Sequence, residues 1–258
     1  MDWQEISGNW VYIPPRPKAI VHFLGGAFLG AAPHLTYRWL LEEIAGQGYA
    51  VIATRFINSF DHKTIAREVI ESFQTCFDKL KINRKLPQKY LPIYGLGHSM
   101  GCKLHLLGGS LFEIERAGNI LISYNNFPAK RSIPLAENLP EDFPFEFAPS
   151  PAQTNKIIAR QYRIRRNLLV KFKNDDLDQT LTLHPILQKR FSDMVTIKRL
   201  AGNHLTPLSQ DIKWQVGTEF SPLDAFVGLL KKEIYREPYR LKDEILRWLN
   251  PLGMPKKG

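Results

Sequence analysis

The chain has 258 residues, of which 44% are hydrophobic and 23% charged, and its formal net charge is +10. This length is enough for one large α/β domain with a sizeable core, and the composition is typical of a globular protein. The longest uncharged apolar stretches are short and interrupted by glycine, which excludes a membrane-spanning helix, and the N-terminal segment lacks the layout of a signal peptide.

Cysteine usage and charge set expectations about compartment and partners. Cys76 and Cys102 do not form a disulfide framework, and no Cys/His cluster indicates a metal, so we expect a reducing, cytoplasmic location and no metal or cofactor. The surplus of Lys and Arg, concentrated in 156–173, favours anionic partners. It forms either a solvated basic face or a peripheral contact with an anionic membrane, and nucleic acid is not expected because no recognised binding motif accompanies the charge.

Hydrophobic patterning predicts an alternation of strands and helices. The predicted strands are, in chain order, WVYIP, AIVHFLGG, AVIATRF, YLPIYGL, NILISYN, LLVKF and TIKRL. Helical spacing predicts helices over 35–46, with Gly46 suited to the C-cap, and over 62–80 and 100–111, with Asp61 as the N-cap of the second. The predicted fold class is therefore α/β, with a mostly parallel central sheet and helices on both faces.

One segment interrupts this alternation. Residues 126–151 are rich in proline, phenylalanine and acids, and prolines forbid a long helix or a central strand there. We predict a single domain over 1–258 with a cap excursion at about 126–162. The phenylalanines expected to cover the pocket are Phe127, Phe143, Phe145 and Phe147.

Three glycines surround one serine between a predicted strand and a predicted helix. A dinucleotide site is disfavoured because the spacing is G-x-G-x-x-x-G and the next strand, NILISYNN, ends without an acid. Gly97-His98-Ser99-Met100-Gly101 instead matches G-x-S-x-G, a sharp turn that lifts a nucleophilic serine clear of the sheet. The Met100 N–H at the start of the helix is then a predicted oxyanion donor.

A nucleophilic serine needs a base and a group that orients that base. His204 follows the last predicted strand, in AGNHLTP, and is the predicted base, whereas His98 lies inside the turn and is excluded from that role. Asp175 is the first choice for the acid because it is the third residue after the strand end expected at Phe172. The alternatives are Asp178 and then Asp176, and at least one of the three is expected to cap the helix TLTLHPILQKRF.

The second oxyanion donor is expected in the glycine loop after an earlier central strand. Gly25 and Gly26 follow AIVHFL and precede small residues, where a backbone must approach the substrate. The predicted donor is the N–H of Ala27, with that of Phe28 as the alternative.

Together, GHSMG, the glycine loop, the late Asp and the final His resemble the α/β-hydrolase superfamily over nearly the whole chain. More narrowly, HFLGGAFLGAAPHLTYRWLLE and KFKNDDLDQT resemble the domain-of-unknown-function 1350 family of cyanobacteria and chloroplasts. This resemblance implies the fold and a serine-hydrolase site, but no substrate. The sequence departs from the common lipase pattern at Cys102, where Gly or Ala often stands, and at Phe172, where G-x-x-D would place a glycine.

The functional hypothesis is a serine hydrolase acting on a carboxylic ester or thioester, with a lipid or another amphiphile as the favoured substrate. Two alternatives share the same residues. One is an acyltransferase, in which a nucleophile other than water resolves the acyl-enzyme. The other is a non-catalytic binding or scaffold protein that has kept the fold.

Overall fold

The computed structural model describes residues 2–27, 29–87, 90–132, 146–209 and 237–250, without the side chains of 131 and 132. Its strands are β1 (Gln4–Ile6), β2 (Asn9–Tyr12), β3 (Ala19–Leu24), β4 (Tyr49–Thr54), β5 (Ile93–His98), β6 (Gly118–Ile122), β7 (Asn167–Asn174) and β8 (Val195–Asn203). Its α-helices are α1 (Pro33–Thr36), α2 (Arg38–Gly46), α3 (His62–Ile82), α4 (Met100–Leu111), α5 (Ala129–Ser132), α6 (Pro151–Gln161), α7 (Thr180–Phe191) and α8 (Glu237–Leu249).

These strands form one eight-stranded sheet in the order β1-β2-β4-β3-β5-β6-β7-β8. β1 and β2 pair antiparallel with their neighbours, and the remaining strands are parallel. Parallel neighbours require crossovers, and the helices between them supply these. The predicted α/β class with a mostly parallel sheet is confirmed.

Helices cover both faces of the sheet. On one face, α2 and α8 pack against β3 to β7 through a cluster that includes Val21, Leu41 and Ile245. On the other face lie α3, α4, α6 and α7, with apolar clusters between them and the sheet. The central strands are therefore buried on both sides, which explains their continuous apolar sequences.

The first predicted helix is divided in the structure. α1 and α2 are separated at Tyr37, whose φ of −118° and ψ of 17° are not helical. The prediction of Gly46 as C-cap was also wrong, because the helix includes Gly46 and ends with Gln47 as the cap. The residue with a left-handed backbone after this helix is Gly48, whose φ is 87°.

The segment predicted as a cap is described only in part. Residues 133–145, which include Phe143 and Phe145, lie outside the described residues. Ala148 pairs with Asp61 at the start of α3, and the ring of Phe147 stacks on that of His62 with centroids 4.1 Å apart. α6 packs with α4 and α7 through Ile158, so this part of 126–162 lies in the helical layer on the sheet.

Within the part of the chain that the structure describes, no helix is both long enough and apolar enough to cross a membrane.

Candidate active site

Ser99 lies on the sharp turn between β5 and α4. Its φ of 55° and ψ of −119° are unusual for a residue with a side chain, and its backbone N–H donates to the Ile122 carbonyl at 2.9 Å. A Cβ at Gly97 would lie 2.7 Å from the Cys102 nitrogen, and one at Gly101 would lie 2.1 Å from the Leu24 carbonyl oxygen. Only glycine fits at these two positions, which is the reason for the G-x-S-x-G spacing.

Three strand ends bring the predicted nucleophile, base and acid together. Ser99 follows β5, Asp175 follows β7 and His204 follows β8, all at the carboxyl edge of the sheet. The Ser99 Oγ lies 3.0 Å from His204 Nε2, and His204 Nδ1 lies 3.0 and 2.9 Å from the two carboxylate oxygens of Asp175. All three residues are buried, with Ser99 9% and His204 8% exposed. The arrangement can pass a proton from the hydroxyl to an imidazole that a carboxylate holds in place.

The strand ends themselves differ from the prediction. β7 continues past Phe172 to Asn174, so Asp175 is the first residue after the strand and not the third. β8 likewise includes Gly202 and Asn203, which were predicted to belong to a loop. The strand ends are polar, so a hydrophobicity pattern does not detect them. Asn174 nevertheless pairs with Asn203, beyond a register shift in the ladder.

Asp175 remains ionised although it is buried. Burial raises the pKa of its carboxyl, but hydrogen bonds from His204 and from the Leu177 N–H outweigh this and hold the pKa below its ordinary value. A carboxylate that stays charged beside His204 stabilises an imidazolium.

The two alternative acids lie apart from His204. Asp176 is exposed. The carboxylate of Asp178 accepts the Thr180 N–H at 2.6 Å and lies 3.6 Å from the Lys171 ammonium. Asp178 therefore supports the start of α7, whose N-cap residue is Gln179, and burial raises the pKa of Asp178.

The glycine loop after β3 lies beside the serine. A Cβ at Gly26 would be 3.4 Å from the Ser99 Cβ. The Gly26 N–H is already engaged, because it donates to the Tyr37 hydroxyl at 2.8 Å. The two predicted donors, the N–H groups of Ala27 and Met100, belong to residues that pack in the same apolar cluster. Phe28, the alternative donor, lies outside the described residues.

Two buried side chains next to this site, His98 and Tyr37, were not predicted from the sequence. His98 hydrogen-bonds through one ring nitrogen to the Tyr37 hydroxyl and through the other to the His204 carbonyl. The only sequence signal was the presence of a histidine inside the turn. Tyr37, 61 residues earlier in the chain, gave no signal.

A buried lysine lies one helical turn beyond the serine. Lys103 is 1% exposed, and its ammonium donates to the Pro149 carbonyl at 3.3 Å. It forms no ion pair with any residue in the described ranges. Burial lowers the pKa of Lys103 to about 7, against a smaller opposing effect of Glu146.

The described part of the chain contains no group of three or more His, Cys, Asp or Glu side chains that could hold a metal ion.

A family model described as a protein of unknown function, DUF1350, matches residues 2–251. The chain belongs to the DUF1350 family. No curated protein matches the sequence significantly.

Solved structures place this DUF1350 protein among α/β-hydrolases by fold. The esterase Pf2001 of Pyrococcus furiosus superposes with a TM-score of 0.58 at 16% identity, over 94% of this chain and 86% of the esterase. FphF, a fluorophosphonate-binding serine hydrolase of Staphylococcus aureus, gives 0.52 at 18% identity, over 76% of this chain and 85% of that chain. TT1662 of Thermus thermophilus gives 0.51 at 16% identity, over 90% and 99% of the two chains. At these identities the likeness establishes the α/β-hydrolase fold.

Proposed function

We propose that this DUF1350 protein is a serine hydrolase that cleaves a carboxylic ester or thioester. The observation that carries the proposal is the continuous hydrogen-bonded chain from Ser99 through His204 to Asp175 at the carboxyl edge of the sheet. The same three residue types, hydrogen-bonded in the same way, perform acyl transfer on several unrelated folds.

In the first half of the proposed reaction, the Ser99 Oγ attacks the substrate carbonyl carbon while His204 Nε2 takes the hydroxyl proton. Asp175 accepts the Nδ1–H and stabilises the imidazolium. The N–H groups of Met100 and Ala27 hold the tetrahedral oxyanion. Collapse breaks the bond to the leaving alcohol or thiol, which receives the proton from His204, and leaves an acyl ester on Ser99.

In the second half, a water molecule attacks that ester. His204 takes a proton from the water and returns it to the Ser99 oxygen as the acyl–enzyme bond breaks. The products are the carboxylic acid and the original serine, so no cofactor is consumed.

Exposed apolar side chains on the sheet edge that carries Ser99 favour a substrate with an apolar portion. Ile57 is 87% exposed in the segment after β4, and Leu177 is 38% exposed in the segment after β7, so both lie at the carboxyl edge that carries Ser99. Ligand pockets are lined predominantly by apolar side chains, and a pocket over Ser99 would open on this edge. We therefore propose an ester of an acyl chain or another amphiphile.

The nucleophile can be tested by labelling with a fluorophosphonate, which reacts with an activated serine. We expect wild type to be labelled and Ser99→Ala to be unlabelled, because the Ser99 Oγ has the His204 base at 3.0 Å. Ser192→Ala, at an exposed serine, is the matched control and should be labelled like wild type. Equal labelling of wild type and Ser99→Ala would contradict the assignment.

The substrate class can be tested with p-nitrophenyl esters of graded acyl length. We expect kcat/KM to rise with chain length. Fastest turnover of the acetate would reject the amphiphile while leaving the hydrolase intact, and rapid labelling without any turnover in water would favour an acyltransferase.

A further inference from the structure

Two buried side chains join the glycine loop after β3 to the loop that carries His204. The Tyr37 hydroxyl accepts the Gly26 N–H at 2.8 Å and lies 2.8 Å from His98 Nδ1. His98 Nε2 lies 2.9 Å from the carbonyl oxygen of His204. Tyr37 and His98 are fully buried or nearly so, at 0% and 1% exposed.

The hydrogen atoms in this series of hydrogen bonds have one consistent arrangement. A carbonyl oxygen only accepts, so His98 Nε2 must carry its hydrogen and donate to His204. The Nδ1 of a neutral imidazole then accepts, so the Tyr37 O–H donates to it, while the Tyr37 oxygen receives the Gly26 N–H. The Gly26 N–H, the Tyr37 hydroxyl, both His98 ring nitrogens and the His204 carbonyl then each have a hydrogen-bond partner.

This arrangement persists over the ordinary pH range. Burial, with a smaller effect of His204, lowers the pKa of His98 to about 3, so the ring stays neutral. Burial raises the pKa of Tyr37, so the phenol keeps its proton.

We infer that Tyr37 and His98 are positioning residues, which fix the oxyanion loop and the base relative to each other across the Ser99 turn. The inference rests on the proposed function. Gly26 immediately precedes Ala27, the proposed oxyanion donor, and the His204 carbonyl belongs to the base itself. One rigid connection therefore sets both the donor that receives negative charge and the imidazole that receives the proton. Neither Tyr37 nor His98 needs to touch the substrate.

The position of Tyr37 in the fold supports this role. It occupies the break between α1 and α2, and a Cβ at Gly25 would lie 2.8 Å from its ring. Beside it, the Thr36 carbonyl accepts the Ser209 N–H at 2.8 Å, which ties the segment after His204 to the same helix break. The helix break thus contacts both loops.

Tyr37→Phe removes one hydroxyl and leaves the Gly26 N–H and His98 Nδ1 unpaired. Because small misplacements of catalytic groups are costly, we expect kcat to fall by about 10–100-fold with KM nearly unchanged, and fluorophosphonate labelling to slow in parallel. The assay is p-nitrophenyl ester hydrolysis, with thermal unfolding measured on each protein.

Tyr162→Phe is the matched control for loss of a buried hydroxyl. Tyr162 is also 0% exposed, and its hydroxyl hydrogen-bonds Asn119 and Asn167 at 2.7 Å each, near the amino ends of β6 and β7 and opposite the edge that carries the proposed triad. We expect it to lower the unfolding temperature at least as much as Tyr37→Phe while leaving kcat unchanged.

Substitution of His98 gives a second, independent measurement. The Gln side chain in His98→Gln can accept from Tyr37 and donate to the His204 carbonyl, whereas Leu in His98→Leu can do neither. We expect His98→Gln to retain more of the wild-type kcat than His98→Leu at equal folded fraction.

Wild-type kcat and labelling rate in Tyr37→Phe would overturn the inference, as would equal losses of kcat in Tyr37→Phe and Tyr162→Phe. Either result requires an active wild type, so the proposed function would stand. A folded wild type that reacts with neither the esters nor the probe would overturn the proposed function, and the inference with it.

Discussion

The three aspartates after β7 differ in burial and in hydrogen-bond partners, and these differences separate their proposed roles. Asp175 is 4% exposed and contacts His204 with both oxygens, whereas Asp176 is exposed and Asp178 contacts α7 and Lys171. Of the three, Asp175 is the one hydrogen-bonded to His204 Nδ1, which leaves Nε2 towards Ser99. The geometry thus supports the first choice of acid over both alternatives.

Replacing the acid by its amide separates the candidates. We expect Asp175→Asn to lower kcat by about 10⁴-fold with little change in KM, because the imidazole is then held in the wrong tautomer. Asp178→Asn should lose far less activity and some stability, and Asp176→Asn should behave as wild type. Kinetics with p-nitrophenyl esters measure all three, and a larger loss of kcat in Asp178→Asn would transfer the role to Asp178.

Local sequence revealed the proposed nucleophile but not its supporting residues. Ser99 could be predicted because its turn imposes glycines two residues away on either side, a requirement visible within five residues. Tyr37 and His98 are 61 residues apart, and His98 and His204 are 106 residues apart. Their contacts depend on the tertiary structure, which no periodicity or local motif encodes.

The turn at Ser99 is closely packed against the neighbouring strands and the following helix. α4 begins directly after the serine, and its second residue, Gly101, packs on the end of β3. β3 continues into the glycine loop proposed to supply an oxyanion donor. Crowding at Gly101 would therefore displace the loop as well as the helix.

Two glycines in helices provide a matched test of this constraint. We expect Gly101→Ala to destabilise the fold by about 1–3 kcal/mol, because its Cβ would lie 2.1 Å from the Leu24 carbonyl oxygen. Gly46→Ala, in α2, meets nothing within 4 Å and should stabilise by roughly 0.5–1 kcal/mol. Urea unfolding measures both, and an equal effect of the two substitutions would contradict the packing argument.

Strands with continuous apolar sequence were predicted, and the short edge strand was not. Seven strands and the helices α3, α4 and α7 lie where hydrophobic periodicity places them. β1 has three residues, two of them exposed, so its sequence carries no alternation that a pattern could detect. Tyr37 breaks a helix whose apolar spacing runs on, because its side chain reaches Gly26 and His98.

At the scale of the whole molecule, the sequence did not predict the order of the strands or the edge of the sheet on which the basic residues lie. Arg163, Arg165 and Arg166 lie between α6 and the start of β7, at the amino edge of the sheet, opposite the edge that carries Ser99. Contact with an anionic membrane stays a prediction. A membrane bound to these arginines would lie at the amino edge of the sheet and would not face the candidate site.

Lys103 makes folding a proton-releasing reaction at alkaline pH. Its pKa is about 7 in the folded protein against an ordinary 10.5, so between these values the unfolded chain holds a proton that the folded chain lacks. Stability should therefore rise with pH above about 7, by up to about 1.4 kcal/mol per pH unit from this group, and reach its plateau near the ordinary lysine value. Below pH 7 both states are protonated, and the full cost of burying the charge remains.

Substituting the ammonium should remove that dependence. We expect Lys103→Met to raise the unfolding temperature at pH 7 and to flatten the gain in stability between pH 7 and 9, whereas Lys63→Met, at an exposed lysine, should keep the wild-type profile. Parallel profiles for wild type and Lys103→Met in urea unfolding would show that the buried lysine stays charged. If Lys103→Met removes the dependence, the rise in stability of the wild-type protein with pH comes from a single side chain on α4, the helix that begins directly after the proposed nucleophile.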